Sequence, residues 1–253
     1  MTKILIVDGA LFGNLEAEEE NLETLERCLV SNRESDEEVM KLFVKSGQLK
    51  CIKWMCEHGC VLTDTFIMYS IIADRLDCLE YLIGKGCPCD PYIVSYTAMA
   101  GKVECLEYLI KSGYQVWEDI GASAAAKGQL EVLKWLHNNG IEFGYEASAY
   151  AASFGHTKCF EYIIECHEDG PLYVDPIGTI ENGHLDCIKI MHELDKIPPV
   201  SADIAIMYNQ MEIFNYLKDE GFKYNKKLLN RDGTPSRLAK RRAKQLTTQR
   251  QSE

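Results

Sequence analysis

The sequence is poor in the features that mark secreted and membrane proteins. After Met1-Thr2-Lys3 the apolar run is four residues long, Ile4 to Val7, whereas a signal peptide needs a longer stretch and a membrane span needs about 20 residues. No Asn-x-Ser/Thr glycosylation signal occurs in the 253 residues. We therefore expect an intracellular protein, in the cytoplasm or the nucleus, that does not enter a membrane.

Sequence motifs of catalysis are also missing. There is no glycine-rich phosphate-binding loop and no His-Glu-x-x-His zinc motif. The run Gly121-Ala-Ser-Ala-Ala125 resembles a nucleophile elbow, but it lacks the second glycine and no strand is predicted before it. None of the six histidines lies in a pattern typical of a general base. The sequence therefore predicts no catalytic activity, no cofactor and no small-molecule substrate.

The charge is acidic overall but unevenly distributed. The formal net charge is −12, yet ten basic and two acidic residues follow Gly221, so the first 221 residues carry −20. An acidic body disfavours contact with nucleic acid, and the basic tail is the part that could make such a contact. The basic run of the tail consists of Arg237, Lys240, Arg241, Arg242 and Lys244. The structural interpretation of this run is a solvated tail. The functional interpretations are a nuclear-import signal and a contact with acidic partners.

A 27-residue repeat dominates the chain. Eight segments of the type Leu-Glu-Cys-Leu-Glu-Tyr-Leu-Ile align from residue 22 to residue 218. Their third positions are Thr24, Cys51, Cys78, Cys105, Val132, Cys159, Cys187 and Ile213. These positions are 27 residues apart five times, then 28 and 26. A fixed period in this range indicates stacked structural units.

Each unit reads as two helices. In residues 119–127 small residues form a short first helix, and Gly128 ends it. Leu130, Leu133 and Leu136 then recur at helical spacing, and Gly140 ends the second helix. Equivalent stops occur at Gly59, Gly86, Gly113, Gly170 and Gly221. One such unit cannot bury its apolar face alone, so its neighbours must cover it.

These residues resemble a known family. The run from Gly128 to Gly140 is similar to the second helix of an ankyrin repeat, and Gly155-His156 and Gly183-His184 match the start of that helix. The resemblance covers residues 10–225 and is to the short ankyrin-like repeats of giant DNA viruses and some protists. A viral member would act in the host cell. The sequence departs from the family pattern in two ways. No unit contains the Thr-Pro-Leu-His string that usually begins the first helix, and the repeat is about six residues shorter than the ankyrin repeat.

The resemblance and the short period together predict the architecture. We expect an all-α solenoid of stacked antiparallel helix pairs, with short loops and little or no β-hairpin. An N-terminal cap with a degenerate first repeat occupies residues 1–34, seven ankyrin-like repeats occupy residues 35–222, and a basic C-terminal cap or tail occupies residues 223–253. Beyond Asn230 the repeat pattern fails, and a frayed helix or disorder is expected there.

The eleven cysteines are interpreted as free thiols of a reducing compartment. Five of them share a repeat position with Val132 and Ile213, so the site calls for a small apolar group. A metal site would have to be built from Cys56, His58, Cys60, Cys87 and Cys89. Cys60 and Cys87 are equivalent loop positions about one helix-packing distance, roughly 10 Å, apart. Zinc bonds of about 2.3 Å do not span that distance, so no metal is expected.

Aromatic residues are the candidates for partner binding. Trp117 lies in a loop where the equivalent residues are Thr63, Asp90 and Gly144, and an indole in such a position is typical of an interface anchor. Tyr69, Tyr96 and Tyr150 recur on the first helix, where the family carries a mostly buried leucine. A core role is the more common one for such tyrosines, but their hydroxyls could reach the concave surface.

The resemblance implies a protein–protein interaction scaffold without catalytic activity, which binds a protein partner that the sequence does not identify. The alternative is a substrate adaptor for a ubiquitin ligase or another modifying enzyme. Ankyrin-like viral proteins often carry an F-box-like end for that task, and neither terminus of this chain shows a convincing one.

Overall fold

The computed structural model describes residues 5–7, 10–12, 36–166 and 172–250 of the chain. Two compact units are formed, unit 1 (Met1–Trp117) and unit 2 (Glu118–Glu253). In the described residues of both units the secondary structure is almost entirely helical. None of these helices has the length and apolar character needed to cross a membrane.

Unit 1 contains three consecutive helix pairs. The first helices of the pairs are α1 (Asp36–Ser46), α3 (Asp64–Ile72) and α5 (Ile93–Ala100), and the second helices are α2 (Leu49–Glu57), α4 (Leu76–Gly84) and α6 (Val103–Lys111). The middle first helix, α3, contacts α1 and α5, and the middle second helix, α4, contacts α2 and α6. First and second helices therefore form separate rows, as stacking of identical pairs requires.

Unit 2 continues the same pattern with four pairs. Its first helices are α7 (Ile120–Ala126), α9 (Ala147–Ser153), α11 (Pro176–Glu181) and α13 (Ser201–Met207), and its second helices are α8 (Leu130–Asn138), α10 (Thr157–Cys166), α12 (Leu185–Glu193) and α14 (Met211–Asp219). Neighbouring first helices contact each other, as do neighbouring second helices. A 3-10 turn (Lys226–Leu228) and a last helix, α15 (Arg237–Arg250), follow. The predicted stack of helix pairs is confirmed within each unit.

The core follows from where each helix places its apolar residues. On the second helices, the third, fourth and seventh positions of the repeat are buried, as at Cys105, Leu106 and Leu109. This spacing puts all three side chains on one helical face. On the first helices, small residues such as Ala124 and Ala125 are fully buried. Their size lets neighbouring first helices approach closely, as the sequence predicts.

The two turns of each repeat need a left-handed backbone. Between the helices of a pair, φ is +69° at Gly128, and in other repeats Asp74 and Asn209 adopt +58° and +62° at the same position. Aspartate and asparagine are the residues other than glycine that tolerate this conformation best. After the second helix, Gly113 has φ of +85°. The N–H of Tyr114 donates to the carbonyl of Leu109, which closes the helix end in the expected way.

The C-terminal segment differs from its sequence-based expectation. Where a frayed helix or disorder is predicted, α15 is a continuous helix of 14 residues. It packs on α13, the first helix of the last pair, and Ala239 is fully buried there. Ser236 caps the helix, since its Oγ accepts the N–H of Ala239 at 3.4 Å. The basic residues of the tail are all exposed.

Strand structure is confined to the N-terminus among the described residues, apart from one isolated bridge between Leu229 and Pro235. Strands β1 (Leu5–Val7) and β2 (Ala10–Phe12) pair antiparallel, with Leu5 opposite Phe12. The rest of the predicted cap and degenerate first repeat, residues 1–34, lies outside the described residues, as does the predicted stop at Gly170. The described loops between helix pairs contain no β-hairpin, as predicted from the short period.

Candidate partner-binding surface

Unit 1 has an exposed aromatic cluster at α5, formed by Tyr92, Tyr96 and Trp117. Tyr92 is the residue that precedes α5, and Tyr96 follows it by one helical turn on the same face. The Trp117 indole stacks on the Tyr92 ring, with ring centroids 5.2 Å apart and planes inclined by 29°. Tyr92, Tyr96 and Trp117 keep 50, 40 and 38% of their surface exposed.

Trp117 is held in place by its neighbours in unit 1. Besides the stacking on Tyr92, its Nε1–H donates to the carbonyl of Pro91 at 3.1 Å. The indole that the sequence suggests as an interface anchor is therefore held by two contacts. A fixed aromatic side chain loses less conformational entropy on binding than a mobile one.

Of the predicted residues, Trp117 stacks on Tyr92, and Tyr96 lies one helical turn after Tyr92 on α5. Sequence reasoning missed Tyr92, although its position four residues before Tyr96 was a usable signal. Tyr69 on α3 is in a different environment. It is half-buried, and the Lys45 ammonium lies 4.1 Å from the centroid of its ring. This cation–π contact occupies one face of Tyr69, so less of its surface is available to a partner.

In unit 2, Tyr150 belongs to a second exposed aromatic pair. It stacks on Phe154, the residue directly after α9, with ring centroids 6.2 Å apart and planes inclined by 15°. Tyr150 is 40% and Phe154 is 53% exposed. These two rings line a groove of about 460 Å³ between α9, α11 and the last turn of α15, called here the α9–α11 groove. Asp175, Glu181 and Arg250 also line it.

The two family-matching histidines have structural roles. The His156 imidazole lies against Gly128 of the preceding repeat, where an added Cβ would come within 2.5 Å of Nδ1. Its Nε2 lies 3.2 Å from the Ala126 carbonyl. His184 packs in the same way on Gly155. Both imidazoles therefore pack locally, and each joins its repeat to the preceding one.

The cysteines that share the repeat position are buried, as at Cys105 and Cys159. Burial raises the pKa of both thiols to about 11, and it raises the pKa of Cys87 to about 12. Such thiols stay protonated at neutral pH and are poor nucleophiles. This agrees with the interpretation that the repeat position needs a small apolar group.

Cys87 is one of the residues from which a zinc site would have to be built. Its Sγ donates to the Thr63 carbonyl at 3.2 Å. Within residues 36–166 and 172–250, no group of three or more histidine, cysteine, aspartate or glutamate side chains is arranged to hold a metal ion.

Comparison with known proteins gives one family match within the chain. The family model for ankyrin repeats, described as occurring in many copies, matches residues 122–164. Among solved structures, the chain is similar to the human ASB11 ankyrin repeat domain, with 18% sequence identity, a TM-score of 0.49, and coverage of 67% of this chain and 88% of that one. A search of curated proteins gives no match.

Proposed function

Since residues 122–164 are ankyrin repeats and the same helix pair recurs on both sides of them, we propose that this protein is a non-catalytic scaffold that binds another protein along its first helices. Ankyrin repeats are a protein–protein interaction fold. A rigid stack of repeats offers an extended surface whose ordering costs little on binding.

One observation carries the proposal: the aromatic cluster of Tyr92, Tyr96 and Trp117 stays exposed on unit 1. Tyrosine and tryptophan are enriched in the cores of protein interfaces, where charged residues are scarce, and they are over-represented among binding hot spots. The repeat itself does not need these rings, because Ala124 and Ala125 show that small residues build the contact between first helices. Exposed rings that the contacts between first helices do not need favour a partner that covers them.

The chemistry of the described cysteines supports a reducing compartment. All ten are free thiols, and half of them share one buried repeat position. Disulfides are rare in the cytoplasm and the nucleus, where such thiols persist. We place the scaffold in one of these two compartments. The exposed basic residues of α15 form a second surface, suited to acidic partners.

Affinity purification of the full-length chain with quantitative mass spectrometry tests the proposal. The variants are Trp117→Ala and Tyr96→Ala, and the control is Glu80→Ala, an exposed change on the second helix α4. Loss of a hot-spot aromatic costs about 2 kcal/mol, so we expect about 30-fold weaker capture of the partner. Thermal unfolding checks that each variant is folded, since Trp117 also bonds to Pro91.

Equal capture by wild type and both aromatic variants would contradict the proposed surface. Ligase subunits among the proteins whose capture depends on Tyr96 would establish the narrower role of substrate adaptor.

A further inference from the structure

The α9–α11 groove of unit 2 combines aromatic and acidic walls. Glu146 directly precedes α9, Tyr150 lies within it and Phe154 directly follows it, so the three residues are spaced by four and share one side of the helix. The facing helix α11 contributes Asp175 and Glu181, whose side chains are 29 and 31% exposed. The groove is therefore a concave surface of negative charge beside two exposed rings.

Gly178 explains why a groove exists here. In the alignment of the repeats, Gly178 takes the position that is Tyr69, Tyr96 and Tyr150 in other repeats. A Cβ at Gly178 would lie 2.4 Å from Asp175 Oδ2 and 3.2 Å from Ser153 Oγ. A larger side chain would therefore collide with the groove wall, and its absence keeps the acidic residues accessible next to Tyr150.

A guanidinium already occupies the acidic end of the groove. Arg250, the last residue of α15, donates from Nη2 to Asp175 Oδ2 at 2.7 Å and from Nη1 to Glu181 Oε2 at 3.3 Å. Asp175 Oδ1 accepts the N–H of Gly178 at 2.9 Å, so one carboxylate oxygen of Asp175 binds the backbone and the other binds Arg250. With Arg250 in place, Tyr150 and Phe154 still keep 40 and 53% of their surfaces exposed.

We propose that the α9–α11 groove binds an arginine side chain of a protein partner, and that Arg250 is an internal competitor that leaves before the partner's arginine enters. A planar guanidinium presents several N–H groups in one plane to two carboxylates while its face stacks flat on an aromatic ring, a geometry that the compact ammonium of lysine matches less well. The inference rests on the proposed function and deepens it by naming the side chain that unit 2 recognises.

Titration of the full-length chain with acetyl-Gly-Gly-Arg-Gly-Gly-amide tests this proposal. The amide signals of Ala149 and Gly178, which line the groove, report binding by nuclear magnetic resonance. Arg250 is partly exposed, so its ion pairs are weak and its removal frees the groove at little cost. We expect Arg250→Gln to bind the peptide about three- to tenfold more tightly than wild type, since the competent fraction rises.

Two further variants test whether the change in peptide affinity comes from the groove. Adding Glu181→Gln to Arg250→Gln should weaken peptide binding at least tenfold, and it preserves the backbone carbonyl that accepts Gln210 Nε2. Arg242→Gln removes the same charge from an exposed position of α15 and should bind like wild type. The lysine version of the peptide should bind more weakly than the arginine version to Arg250→Gln.

Several results would overturn the proposal. These are unchanged affinity in Arg250→Gln, an equal gain in Arg242→Gln, and equal binding of the lysine peptide. The readout is confined to unit 2 and a synthetic peptide, whereas the proposed function is tested at Tyr96 and Trp117 of unit 1. Failure of one experiment is therefore distinct from failure of the other.

Discussion

At the residue scale, one repeat position joins neighbouring repeats. It is the residue directly after the turn between the two helices, and in every described repeat it carries an N–H donor. These residues are Gln48, Arg75, Lys102, Gln129, His156, His184 and Gln210. Lys102 pairs with Asp74 at 3.3 Å, and Gln210 donates to the Glu181 carbonyl at 2.8 Å. Lys102 and Gln210 thus each reach back to the turn of the preceding repeat, and the position accepts glutamine, histidine, arginine or lysine as the donor.

His184 makes this junction sensitive to acid. Burial lowers the pKa of its imidazole below 6.5, and the neighbouring His156 lowers that pKa further. Below pH 6.5 the unfolded chain then binds more protons than the folded one, so stability falls as the pH falls. We expect His184→Gln, which keeps an N–H donor, to lose less free energy of unfolding than wild type between pH 7 and pH 5.

Urea unfolding at the two pH values measures this difference. The same substitution at the exposed His58 of unit 1 controls for the loss of a histidine in general. An identical pH dependence in His184→Gln and wild type would show that His184 does not contribute to the acid sensitivity.

Gly121 on α7 shows how closely backbones approach in unit 2. A Cβ there would lie 2.2 Å from the carbonyl oxygen of Phe143, which is backbone and cannot move aside. We expect Gly121→Ala to lower the free energy of unfolding by about 1–3 kcal/mol through overpacking. Gly84 at the end of α4 has no atom within 4 Å of the same added Cβ. Gly84→Ala should leave stability unchanged or raise it by up to about 1 kcal/mol, because glycine disfavours helix.

Thermal or urea unfolding of the two alanine variants measures the difference in their free energies of unfolding. If Gly121→Ala is as stable as Gly84→Ala, the close approach to Phe143 is not a constraint on the fold.

At the element scale, α15 covers the exposed side of the last repeat. It packs on α13, where another first helix would otherwise follow, and Ala239 is fully buried at the contact. A charge at Ala239 cannot be solvated without undocking the helix. We expect Ala239→Lys to cost about 1–3 kcal/mol and Lys240→Ala, at the exposed neighbouring position, less than about 0.5 kcal/mol. Amide hydrogen exchange should increase in α13 for Ala239→Lys alone, and unchanged exchange would contradict the docking.

The repeated elements could be predicted from sequence because their apolar positions recur in register. Cys105, Leu106 and Leu109 occupy one helical face, and the same spacing returns every 27 residues with small first-helix residues between. The helix pairs, their turns and the lack of hairpins between them therefore followed from periodicity. These features depend on local spacing and on stacking with identical neighbours.

The last helix could not be found in this way, since α15 departs from the repeat and is rich in charged residues. Its docking relies on Ala239, which a hydropathy pattern hardly registers, and on the Tyr208 hydroxyl 3.4 Å from Thr247 Oγ1. A helical stripe of Ala239, Ala243 and Leu246 was nevertheless present in the sequence. The α9–α11 groove was equally hidden, because it depends on Arg250 folding back onto residues far earlier in the chain.

At the scale of the whole molecule, the repeats determine the scaffold and leave the surface of the first helices free to vary. Tyr96 and Tyr150 are exposed at a first-helix position that carries Ser123 in the repeat between them, whereas the buried third position of the second helix keeps small or β-branched apolar groups. Variation on one surface over a constant core is typical of binding by repeat proteins.

Site-specific photo-cross-linking in cells tests most directly that a protein partner binds this surface. A photoreactive phenylalanine analogue replaces either Tyr96 on the first helix α5 or Glu80 on the second helix α4, both of which are exposed. The proposed function predicts one protein adduct from position 96 and none from position 80. No adduct from position 96, or the same adduct from both positions, would contradict it.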